Sequence, residues 1–94
     1  MFEIKVNATD EVVLTGRFDA SKVAEAKAVF NDITSSRIVN FADLEYISSA
    51  GLSTLLVTQK RLSGAGEKLK LVGMSEHIKE IFRYAGFDTI FEIE

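Results

Sequence analysis

The 94-residue sequence contains no cysteine and no proline. Without cysteine there is no disulfide framework, no thiolate metal site and no cysteine nucleophile. A small domain lacking such staples fits a reducing compartment, so a cytoplasmic location is expected. Histidine occurs once, as His77 beside Glu76, which leaves a His-carboxylate metal site short of ligands. No run of about 18 apolar residues is present, so no membrane-spanning helix is expected. The start, Met1-Phe2-Glu3-Ile4-Lys5, lacks a basic segment followed by an apolar one, so no signal peptide is expected. Basic residues are outnumbered, 11 Lys and Arg against 14 Asp and Glu, for a net charge of −3. Nucleic-acid backbones bind basic faces, so a nucleic-acid partner is not expected.

What is present is the composition of a soluble globular domain: 47% hydrophobic, 10% aromatic and 27% charged residues. The length corresponds to one domain, residues 1–94, with a monomer as the default state. A chain of this size buries roughly 60–70% of its unfolded surface. That supports one modest core and no deep, enclosed active site.

The hydropathy pattern divides the chain into eight elements. Phe2 to Ala8 alternates with period 2 and reads as a half-buried strand. After the turn Thr9-Asp10-Glu11, Val12 to Gly16 reads as a second strand of a hairpin. Asp19 or Ser21 is a candidate N-cap for a helix over Ser21 to Ile33, whose apolar stripe is Val23, Ala26, Phe30 and Ile33. Arg37 to Phe41 predicts a short strand buried on both faces, and Ala42 to Ala50 a loop running into a helix. That second helix carries Leu52, Leu55, Leu56 and Leu62 on one face and stops at Gly64-Ala65-Gly66. Lys68 to Val72 reads as a strand. Ser75 caps a third helix with Ile78, Ile81, Phe82 and Ala85 inward and Gly86 as its left-handed terminator. Thr89 to Ile93 is a last strand. The order β-β-α-β-α-β-α-β predicts a single α/β domain with a mixed, mostly parallel sheet and helices packed against it.

Asp43-Leu44-Glu45-Tyr46-Ile47-Ser48-Ser49-Ala50-Gly51-Leu52 carries the chemistry. Two adjacent hydroxyls stand where the second helix begins, followed at once by the small residues Ala50 and Gly51, which keep the surface flat. A helix N-terminus offers free amides and partial positive charge, so it tolerates an anion. A phosphate here adds about −1.5 to −2 charges at one exposed spot. A partner docked there then meets a solvated dianion, with no refolding of the domain. Serines at such positions serve more often as caps alone, and both roles stay open on local physics.

Tyr46-Ile47-Ser48-Ser49-Ala50-Gly51-Leu52 resembles the phosphorylation-site signature of the anti-sigma factor antagonists, the STAS domain family. That signature is an aromatic or apolar pair, often Asp, then the target serine, a small residue, Gly and Leu. Ser49 falls on the target position, and Gly51-Leu52 match. Gly16-Arg17-Phe18-Asp19-Ala20 resembles the family's Gly-x-apolar-Asp segment near the target serine, and Leu69 to Val72 with Ile81 to Phe87 resembles its final strand and helix. Ser48 departs from the pattern, standing where many members carry Asp. The resemblance implies partner switching in a bacterial signalling pathway that regulates transcription. The unmodified domain binds an anti-sigma factor that is also a serine-protein kinase. Phosphorylation at Ser49, or less favourably Ser48, ends the complex, and a serine phosphatase resets it. Nucleotide and magnesium belong to the kinase, so no cofactor is implied for this chain, which is not expected to be an enzyme. Asp19, Ser21, Ser48, Ser49, Ala50 and Gly51 form the expected partner-binding surface. The alternatives are a constitutive STAS accessory subunit of a transporter complex, including those serving lipid transport, and a scaffold component of a signalling assembly.

Other readings find less support. Ser49 is flanked by Ile47 and Gly51, so the Gly-x-Ser-x-Gly elbow of a serine hydrolase is missing, and His77 reads as a surface histidine. Gly64-Ala65-Gly66-Glu67-Lys68 lacks phosphate-loop spacing and ends a helix instead of starting one. Lys60, Arg61, Lys68 and Lys70 read as scattered and solvated. Among the C-terminal aromatics, Phe82 and Phe87 are expected in the core. Tyr84 and part of Phe91 are candidates for an exposed contact surface, with burial the default.

Overall fold

All residues, 1–94, are described by a computed structural model. Its elements are β1 (Phe2–Val6), β2 (Val12–Phe18), a 3-10 turn (Ala20–Lys22), α1 (Val23–Phe30), β3 (Arg37–Ile47), α2 (Ser49–Ser63), β4 (Leu69–Val72), α3 (Glu76–Tyr84) and β5 (Glu92–Ile93). The strands form one sheet in the order β1-β2-β3-β4-β5. β1 runs antiparallel to β2, and the remaining pairs are parallel. The expected fold class and element order are the observed ones.

Each strand-helix-strand crossover steps one place along the sheet in the same direction. Crossovers of one hand that all step the same way lay their helices on the same face. Strand burial follows from this. Val12, Leu14, Phe18, Val39, Phe41, Leu69 and Leu71 are buried, while Val13, Thr15, Arg17, Ile38, Asn40, Lys70 and Val72 are partly or largely exposed. β3 is therefore not buried on both faces: Ile38 is 39% exposed. The molecule has two layers, with three helices over one sheet face and the other face open.

Twenty buried apolar residues form one core between the layers. Phe2 stacks on Phe18 with ring centroids 4.8 Å apart. Phe82 on α3 meets Phe41 edge-on at 5.8 Å and Phe91 at 5.7 Å. Phe91 is thus a core residue, whereas Tyr84 is 96% exposed.

The largest departure from expectation is the length of β3. The stretch Ala42 to Ile47 is strand, not loop. Two register irregularities against β2, between Val13 and Thr15 and between Gly16 and Arg17, each accommodate one extra β3 residue. Such bulges re-aim side chains, so Phe41, Leu44 and Ile47 all reach the core although they recur every third residue. The Ala42 amide donates to Asn40 Oδ1 at 2.8 Å. Elements at the chain's ends are shorter than expected: β1 stops at Val6, and only Glu92–Ile93 of the last segment pairs. The first helix is also shorter, because its opening turn is 3-10 and α1 ends at Phe30. Arg61 is not merely solvated. Its Nη2 donates to the Phe30 carbonyl at 2.9 Å and its Nη1 to the Ile33 carbonyl at 2.6 Å, tying α2 to the end of α1.

Candidate partner-docking site

β2 and β3 end side by side, with Phe18 in register with Ile47. One further bond extends the pairing: the Ser48 amide donates to the Phe18 carbonyl at 2.9 Å. Asp19 and Ser48 therefore stand together just past the C-terminal ends of adjacent parallel strands. In open α/β sheets this is the edge where binding sites collect. The 3-10 turn that follows Asp19 packs against α2, which brings Asp19 and Ser21 to the same end of the molecule as Ser48, Ser49 and Ala50.

Asp19 is the N-cap of the 3-10 turn. Its Oδ1 accepts from the Ser21 amide at 3.0 Å and from the Ser21 hydroxyl. The hydroxyl bond is the main reason that the Asp19 carboxyl is held below the usual aspartate range. The Ser21 amide, Lys22 and Arg17 add to it, against an opposing contribution from desolvation.

The two serines hold different positions. Ser48 is the N-cap of α2, with extended backbone (φ −84°, ψ 168°), and its Oγ accepts from the Gly51 amide at 3.1 Å. Asp is as good an N-cap as Ser, so Ser48 fills the capping role here without bringing a charge. Ser49 is the first residue of the helix proper. Its side chain is exposed and takes no part in the cap. The Leu52 amide bonds the Ser48 carbonyl at 2.9 Å. The earlier amides of the first turn have no intrahelical acceptor and supply the positive end of the helix dipole.

Gly51 belongs beneath this surface, not on it. It is buried, and a Cβ there would stand 2.9 Å from Ile47 Cγ1 and 3.2 Å from the Phe18 ring. Its lack of a side chain lets the first turn of α2 sit directly on the strand ends. Ala50 is partly buried and lines a depression between α1 and α2 with Val23, Lys27, Ser53, Thr54 and Val57. A second depression, about 370 Å³, opens between α2 and α3. Ser49, Leu52, His77, Glu80, Ile81, Tyr84 and Ala85 line it. Sequence reasoning set His77 aside and did not join α3 to the serine pair. Tyr84, offered from the sequence as a candidate contact residue, is the one signal that pointed to this face.

The model of the family described as "Mlab, STAS domain" matches residues 4–92. The chain belongs to the STAS domain family. BtrV of Bordetella bronchiseptica, whose name gives it as a candidate anti-sigma factor antagonist, is 36% identical over 56 residues. The aligned stretch is 60% of this chain and 48% of BtrV, about half the length of that relative. Three solved structures, of two proteins, share the fold over nearly the whole STAS domain. A candidate anti-sigma factor antagonist of Thermotoga maritima superposes with a TM-score of 0.80 at 23% identity, covering 99% of this chain and 85% of its own. The anti-sigma factor antagonist SpoIIAA in its unphosphorylated form gives 0.75 at 20% identity, covering 100% and 88%. The same Bacillus protein in its phosphorylated form gives 0.69 at 20% identity, covering 100% and 91%. No helix of the chain is long and apolar enough to cross a membrane.

Proposed function

We propose that this STAS domain is an anti-sigma factor antagonist working as a phosphorylation-controlled binding switch. With Ser49 unmodified, it binds an anti-sigma factor that is also a serine-protein kinase. Phosphate on Ser49 releases that partner, and a serine phosphatase restores binding. Asp19, Ser21, Ser48, Ser49 and Ala50 present the surface, and Gly51 sets its height by letting α2 approach the sheet.

The observation that carries this reading is the division of roles at the head of α2. Ser48 is engaged as the cap, while Ser49 is exposed beside it. A kinase can take Ser49 without breaking a bond that holds the fold. The resulting dianion stands at the positive end of a 15-residue helix, where the domain tolerates it. A partner lying over Ser49 has to desolvate that dianion, and an unpaired buried charge is strongly unfavourable. Relatives named as anti-sigma factor antagonists, one of them solved with and without phosphate, support the same reading.

The test is binding of the purified anti-sigma factor to wild type, Ser49→Ala and Ser49→Asp. The switch predicts retained binding for Ser49→Ala and loss for Ser49→Asp. Equal binding by all three, or association only with a membrane transporter complex, would favour the constitutive accessory subunit.

A further inference from the structure

We infer that the depression between α2 and α3 receives an apolar side chain of the anti-sigma factor, with Tyr84 as the anchor on this side. The inference rests on the proposed switch and extends its surface to α3, joining the residues around Ser49 to Tyr84, which the sequence offered separately as a candidate contact residue.

Ser49 lines this depression and not the one between α1 and α2, where Ala50 stands instead. A phosphate acts as a release signal only if the partner covers the position it occupies. Covering Ser49 brings the partner to the rim of the α2–α3 groove. The groove's other residues decide what fits. Leu52, Ile81, Tyr84 and Ala85 give it apolar walls. Leu52 is buried and Ile81 half-buried, so they form a floor already fixed by the core, while Tyr84 stands almost free of the protein at 96% exposure. An exposed tyrosine on a rigid helix presents a large contact area with little side-chain entropy to lose, which suits an interface anchor.

Charge points to the same chemistry. α2 contributes only Ser49 and Leu52 to the groove, neither of them charged. On α3, the acids nearest the groove are already paired: Arg83 contacts both Glu80 and Glu76, and Lys79 lies 3.9 Å from Glu76. The charges of α3 balance, Glu76 and Glu80 against Lys79 and Arg83, so the helix brings no net charge that favours a charged ligand, and His77 supplies a polar edge. The occupant is therefore an aliphatic or aromatic side chain on the partner's surface. A doubly charged phosphate on Ser49 opposes burial of such a group directly.

The experiment compares wild type, Tyr84→Ala and Ile90→Ala for binding to the purified anti-sigma factor, with Ser49→Asp in parallel. Ile90 is 42% exposed and lines neither depression, so it controls for general loss of surface hydrophobicity. Tyr84→Ala is expected to weaken binding about tenfold or more, with Ile90→Ala unchanged and both variants melting as wild type. Tyr84→Phe is expected to keep most of the affinity, because the ring and not the hydroxyl is the anchor. If wild type binds and Ser49→Asp abolishes binding while Tyr84→Ala binds as wild type, the groove is not the docking site and the switch stands. If wild type does not bind, or binds irrespective of Ser49→Asp, the switch fails and the inference with it. Self-association of the free protein that Tyr84→Ala removes would assign the groove to a second copy and overturn the inference.

Discussion

Replacing the two serines one at a time separates their physical roles before any partner is added. Ser48→Ala removes the cap of α2 and is expected to lower stability by about 1 kcal/mol. Ser49→Ala removes an exposed hydroxyl outside the cap and should stay within about 0.5 kcal/mol of wild type. Ser49→Asp places a negative charge in the first turn and should be neutral or stabilising by about 0.3–1 kcal/mol. Urea unfolding of the three variants checks the order. Asp19 supplies a pH-dependent counterpart. Its carboxyl is held low chiefly by the Ser21 hydroxyl, so its contribution to stability is complete above the ordinary aspartate value. That contribution falls as pH drops below the ordinary value, and is gone below the lowered one. In Ser21→Ala the Asp19 titration followed by NMR should move upward, toward the ordinary value. No movement would mean that Ser21 is not what holds the carboxylate.

At the level of elements, the site depends on how closely α2 approaches the strand ends. Gly51→Ala introduces a Cβ 2.9 Å from Ile47 Cγ1 and 3.2 Å from Phe18. Overpacking of this kind is expected to cost about 1–3 kcal/mol and to tilt the first turn, shifting amide resonances of Ser48 to Leu52 more than those of α3. The helices' inward stripes and the N-cap at Ser75 were legible in the sequence because they depend on local spacing and capping chemistry, except that Ala85, expected inward, is exposed because α3 ends at Tyr84 and Ala85 is its C-cap. The second half of β3 was not. Its bulges put Phe41, Leu44 and Ile47 on the core face at a spacing of three, which breaks the period-2 signal by which a strand is read. Arg61 was missed for a related reason: its acceptors, the carbonyls of Phe30 and Ile33, are backbone atoms that no side-chain pattern announces.

For the molecule as a whole, alternating strands and helices were enough to give the fold class. Strand order then decided that all three helices share one face, which local hydropathy at Ile38-Val39 had suggested otherwise. Asp19 and the serine pair were legible as separate motifs, and their meeting follows from the register of Phe18 with Ile47. The groove walled by His77, Ile81 and Tyr84 was not legible, because it joins two helices far apart in sequence across a tertiary contact. The switch requires nothing of the fold except that it stay as it is while Ser49 gains charge, against a net charge of only −3 over the chain. The most direct test of this account is the intact mass of the protein purified from its own cells under several growth conditions, for wild type, Ser48→Ala and Ser49→Ala. The account predicts one phosphate on a fraction of wild type and of Ser48→Ala, and none on Ser49→Ala. A phosphate that persists in Ser49→Ala and vanishes in Ser48→Ala, or no phosphate under any condition even after incubation with the anti-sigma kinase and ATP, would contradict it.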